Sequence, residues 1–152
     1  YEIGVRLVGS EMCIRDSNTT IDIVNSMLES PDIHHIFPEA YCVKKGIKRE
    51  KYNSIINKTP ILPATNRSIG GNAPSEYLKT ILKKVNGLTE NELQRRVESH
   101  FIDYTKLKVN DFNGCFISRA KSILNLIEKA MDKPITDRDA ESTRTQFGES
   151  LM

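Results

Sequence analysis

The sequence predicts an α+β fold, mostly α, in which a small strand–strand–helix unit is inserted into a helical domain and braced by it. Two observations lead there. Two short extended runs, Ile33 to Phe37 and Lys58 to Leu62, are bounded by prolines, which cannot donate to a ladder, so neither run fits the middle of a wide sheet. From residue 74 onward, apolar residues instead recur at three- and four-residue intervals, the period of an amphipathic helix.

The first 17 residues stand apart from the rest. LVGSEMCIRDS at positions 7 to 17 is the translation of a common sequencing adapter with its transposon end, and Tyr1-Glu2-Ile3 fits the flanking adapter. Residues 1 to 17 are therefore read as an assembly artefact, Cys13 leaves the cysteine count, and the protein is expected to continue upstream. What remains, ~135 residues, suits one small domain and a tail. The domain is expected over residues 18–132 and a disordered tail over 133–152, a polar stretch without periodicity.

The elements follow in order. Ile21, Val24, Met27 and Leu28 sit at helical spacing between Thr19 or Thr20 and the break at Ser30-Pro31-Asp32. Ile33 to Phe37, closed by Pro38, is the first strand. EAYCVKKG is a helical turn or two ending at Gly46, and a basic connection leads to the second strand at Lys58 to Leu62. A helix opening near Pro63 to Thr65 should stop at Gly70-Gly71, where glycine readily takes the left-handed terminating conformation. Pro74 then opens a helix with Tyr77, Leu78, Ile81, Leu82 and Val85 on one face. Thr89 and Glu92 form a capping box, and Leu88 with Leu93 the staple over it. DYTKLKVNDFNG reads as a loop before a long helix carrying Phe116, Ala120, Ile123, Leu124, Ile127 and Met131.

Composition restricts function loosely. Residues 18–132 hold 17 basic against 13 acidic side chains, an excess that permits a nucleic-acid partner without establishing one. Cys42 and Cys115 have no CxxC spacing, which argues against a disulfide frame or a thiolate zinc site and for a reducing compartment or simple burial. Neither a membrane span nor a signal peptide is visible, so the cytoplasm is the expected setting. GxGxxG and Walker patterns are absent, so no nucleotide-binding loop is expected within this stretch.

Chemistry concentrates between residues 31 and 76, where two adjacent histidines, two spaced asparagines and a basic loop fall close together. A strand turns His34 and His35 to opposite faces, so one could bind a cation while the other accepts a proton. HHIFP, NSIINKTPIL and TNRSIGGNAPSEYL resemble the HNH, or ββα-metal, nuclease motif, in an element order also found in the HNH domain of RNA-guided CRISPR effector nucleases. HHIFP followed by TNRSIGG-x-APSEYL is similar to the C-terminal nuclease domain of GmrSD-type, NTP-dependent restriction endonucleases. That likeness runs from about Ile33 to Met131.

The resemblance implies phosphodiester hydrolysis with a single divalent ion. His35 is then the general base, and His34 and Asn66 are metal ligands. Asn57 lies beside His35 and fixes the loop or the ring. His34 stands where many members of that family have aspartate; oxygen ligands favour Mg²⁺, whereas imidazole suits Mn²⁺, Ni²⁺ or Zn²⁺ better. Asp32, on the same strand face as His34, is a further ligand candidate beside its plain turn role, and His100 reads as an ordinary helix-end histidine. Lys44, Lys45, Lys48, Arg49 and Lys51 in the loop, with Lys58 and Arg67 nearer the site, would hold DNA by its phosphates. In such restriction systems NTP use belongs to an upstream domain. The competing expectation is a non-catalytic DNA-binding or partner-docking module on the same scaffold.

Overall fold

The computed structural model describes residues 32–61 and 63–152. The adapter-like stretch 1–17 and the helix expected between residues 18 and 30 lie outside the described residues. The fold class is as expected, α+β and mostly α. The strands β1 (Asp32–His35) and β2 (Lys58–Ile61) pair antiparallel, with His34 opposite Thr59 and His35 opposite Lys58. Their connection holds two short helices, α1 (Glu39–Lys44) and α2 (Arg49–Tyr52), and a 3-10 turn over Ile55–Asn57. Gly46 allows the bend between the helices through a φ of +68°. β2 runs into α3 (Pro63–Ile69), which Gly70 terminates at φ +54°.

The brace is helical. α4 (Pro74–Lys84) buries Tyr77, Leu78 and Ile81. α5 (Glu90–Glu98) starts on the expected capping box, with Glu92 N–H donating to Thr89 Oγ1 at 3.2 Å and Thr89 N–H donating to Glu92 Oε2 at 2.9 Å. α7 (Phe112–Met131) is capped by Asp111 and sends Phe112, Cys115, Phe116, Arg119 and Ala120 inward. The core is continuous from Phe37, 1 % exposed, through Leu93 and Leu107 to Phe112 and Phe116.

Two expectations gave way. The loop after α5 contains a further helix, α6 (Tyr104–Lys108), because Asp103 caps Lys106 N–H at 3.1 Å while Tyr104 and Leu107, three residues apart, turn the same way into the core. The tail is folded where disorder was expected. It contains α8 (Glu141–Phe147), Phe147 stacks on Phe116 at 5.9 Å, and Leu151 is buried. Arg138 holds this segment down: Nη1 donates to Glu128 Oε2 at 2.8 Å and Nε to the Leu151 carbonyl at 2.9 Å. Composition averages hid three anchoring residues in a polar stretch. The returning segment also packs along the second half of α7, forming with Ile123, Leu124 and Ile127 an open apolar pocket of about 380 Å³.

Arg138→Ala leaves Glu128 Oε2 and the Leu151 carbonyl without their donor. It is expected to cost about 1–3 kcal/mol in urea unfolding and to open residues 133–152 to limited proteolysis while 32–131 stays protected.

Candidate functional site

The site begins where β1 leaves the sheet. Past His35 the ladder ends, yet the next backbone groups are buried and need partners. Asn57 supplies most of them. Its carbonyl accepts from Ile36 N–H at 2.8 Å, its Oδ1 accepts from Phe37 N–H at 3.0 Å, and its Nδ2 donates to the Phe37 and Tyr52 carbonyls at 3.1 and 2.8 Å. Tyr77 Oη from α4 donates to the Ile36 carbonyl at 2.9 Å. Asn57 is 3 % exposed, and both ends of its amide are spent on backbone. It therefore fixes the loop, one of the two roles the sequence suggested, and is a positioning residue rather than a group that touches reactants.

His35 sits immediately before this clasp. Its ring meets the Tyr52 ring edge-on, centroids 6.2 Å apart, and Tyr52 Oη in turn donates to Glu39 Oε1 at 3.2 Å. His35 Nε2 is buried and has no hydrogen-bond partner among the described residues. Buried polar atoms left this way are rare, and they concentrate where a water, an ion or a reactant belongs.

His34 stands one residue earlier, half-buried and directly across from Thr59. Thr59 is buried, and its hydroxyl lies 2.8 Å from His100 Nδ1. Burial, helped by the nearby Arg119 cation, pulls the His100 pKa down to about 4, so this imidazole is neutral at working pH. The sequence reading missed this role, because nothing in the order of residues connects the end of α5 to β2. Asn66, half-buried on α3, is carried by the element that directly follows β2, and Arg67 next to it is exposed. The side chain of Asp32 lies outside what the structure describes.

Among the described residues no three His, Cys, Asp or Glu side chains converge. An imidazole and an amide oxygen are donor types that suit an ion held by few protein ligands, with water and substrate oxygens filling its remaining positions.

The predicted phosphate-binding residues divide by exposure. Lys44, Lys45, Lys48 and Arg49 are exposed on α1, α2 and the turn between them; Lys58 is half-buried opposite His35. None of these, nor Arg67, is engaged in an ion pair among the described residues. Their charges are thus available to an outside anion.

A second residue that the sequence did not announce is Arg119 on α7. Its guanidinium is buried and donates only to carbonyls: Nε to His100 at 3.1 Å, and Nη1 to Ile55 at 3.3 Å, to Ile56 and to Lys58 at 2.9 Å. Burial lowers its pKa to about 10, which still leaves it a cation at neutral pH.

No protein-family model and no solved structure matches the chain. The sequence is similar to an uncharacterized protein of Methanocaldococcus jannaschii, 42 % identical over 76 residues. That match covers 46 % of this chain and 13 % of the archaeal protein, so the chain corresponds to a small part of its relative.

Two measurements test this geometry. Asn57→Ala strands buried donors and acceptors at the exit of β1 and should cost about 3 kcal/mol in urea unfolding, since each orphaned group carries roughly 1–3 kcal/mol. His100 has a folded pKa below its unfolded value, so the unfolded state binds more protons between pH 6.5 and about 4. Its contribution is complete above that window and declines as pH falls through it. Lowering the pH from 7 to 5 should therefore remove roughly 2 kcal/mol of stability, and His100→Gln should flatten that decline.

Proposed function

We propose that this chain is the nuclease portion of a larger restriction or phage-defence protein and that it cleaves DNA by metal-dependent phosphodiester hydrolysis. The observation that carries the reading is His35. It stands at the end of a strand, in ββα order, its backbone is fixed by the Asn57 clasp, and its Nε2 has no partner among the described residues.

Neutral imidazole is the side chain best suited to take a proton from water near pH 7. His35 accepts the proton as the water oxygen attacks phosphorus in line, and the bond to the 3′ oxygen breaks on the opposite side. The departing oxygen takes a proton from solvent. His34 and Asn66 would hold a divalent ion, Mg²⁺ or Mn²⁺, with Ni²⁺ or Zn²⁺ better suited to the imidazole. When bound, the ion relieves charge on the phosphoryl oxygens and the leaving group. Lys44, Lys45, Lys48, Arg49, Lys58 and Arg67 hold the DNA backbone without reading its sequence. The cytoplasm as compartment and an upstream NTP-binding domain belong to the same reading, supported by the resemblance in HHIFP and TNRSIGG-x-APSEYL.

The purified chain with Mn²⁺ should convert supercoiled plasmid to the nicked form. His35→Ala should reduce the rate by on the order of 10²- to 10⁴-fold while leaving the melting temperature and salt-sensitive DNA binding intact. Equal nicking by both proteins would sink the assignment. Binding that weakens with salt, without cleavage by either, would favour the non-catalytic docking module.

A further inference from the structure

Arg119 is a buried cation that the hydrolytic reading does not use. Its partners define what it does. Three of its four acceptors are the carbonyls of Ile55, Ile56 and Lys58, two before Asn57 and one after it. The fourth is the carbonyl of His100, whose ring meets the Thr59 hydroxyl. No carboxylate pairs with it among the described residues. The guanidinium is therefore satisfied only while this stretch of backbone stays bent around it. A planar fork of donors can span several carbonyls in this way, whereas an ammonium is a single point.

The segment it holds carries the clasp. Asn57 grips the Phe37 N–H and carbonyl two residues beyond His35, so a shift of residues 55–58 carries the exit of β1 with it. Little slack exists between them. The gap lined by Phe37, Asn57, Phe112 and Arg119 measures about 10 Å³, at the lower limit for one water, so little solvent stands between the guanidinium and the backbone it holds. We propose that Arg119 is a positioning residue of the site: acting through the backbone of residues 55–58, its guanidinium sets where Asn57 closes and so where the His35 imidazole stands. The inference rests on the nuclease reading for its kinetic consequence but not for its geometry.

A residue that merely stabilised the fold would lower activity only as far as it unfolded the protein. Arg119→Lys is therefore compared with Leu93→Val, which trims a fully buried side chain on α5. Plasmid nicking with Mn²⁺ is measured at a temperature where both variants are folded. Arg119→Lys should lower kcat by on the order of 10- to 100-fold and leave KM within about two-fold, and Leu93→Val should change neither. In parallel, NMR of the His35 ring should show displaced resonances in Arg119→Lys alone. If Arg119→Lys does not fold, Arg119→Gln, which retains one donor, takes its place. Wild-type kcat together with wild-type His35 resonances in the folded variant overturns the inference. If the wild-type protein cuts nothing and the His35 resonances still move, the nuclease reading has failed and the positioning role stands.

Discussion

The structure depends on how the chain leaves β1. A strand of four residues paired with one neighbour gives its backbone partners only as far as His35, after which buried amides and carbonyls must be satisfied by something other than a ladder. Asn57 answers with a side chain that mimics a peptide group, accepting from Phe37 N–H and donating to the Phe37 carbonyl, while its own carbonyl accepts from Ile36 N–H. Two segments twenty residues apart are joined in this way as though a third strand lay between them. An aspartate would lack the donor for Phe37 and Tyr52, and a leucine would keep only the backbone bond from Ile36 N–H and lose every side-chain bond. The position accepts an amide for reasons of backbone accounting, and the place of His35 follows from it.

Around this clasp the interior is polar but short of acids. His100 is buried as a neutral ring, its pKa lowered first by desolvation and then by Arg119. Arg119 is stabilised by carbonyl dipoles rather than by a carboxylate. Desolvating an unpaired guanidinium is expensive, and four acceptors offset part of that expense. The arrangement has an electrostatic corollary. A paired Asp or Glu would have cancelled the positive charge, whereas here it adds to that of the exposed lysines on α1 and α2.

Local features were legible in the sequence and long-range ones were not. The Thr89–Glu92 capping box and the glycines at 46 and 70 each have a cause within a few residues and lie where the pattern placed them; the two short strands form as well, although β1 ends at His35, two residues before the expected Phe37. Asp103 as a cap was equally local. The pattern of apolar residues failed there because a five-residue helix is too short to display a period. Asn57 could be named as a loop-fixing residue only through the motif that surrounds it. Arg119 and His100 had no such motif. Their partners lie 61 and 41 residues away, at Lys58 and Thr59, and an isolated arginine on a helix reads as solvated surface. The tail was misjudged for a related reason, since Arg138 is an anchor only because Glu128 and Leu151 close around it.

Assembly follows from the same separations. A two-stranded sheet is marginal in water unless something packs on it, and the strands here are short and carry a proline. What packs on them comes late in the chain: Tyr77 from α4, His100 after α5 and Arg119 from α7. Each makes its contact with backbone or with a hydroxyl, so the strands need little apolar surface of their own. The histidines could thus remain half-buried on a hairpin without the hairpin having to supply a core. Under the nuclease reading, the HHIFP stretch would carry the chemistry but not the information that shapes it. That information resides in helices 40 to 80 residues downstream, and a peptide ending at α3 would contain every candidate ligand and base and have none of them in place.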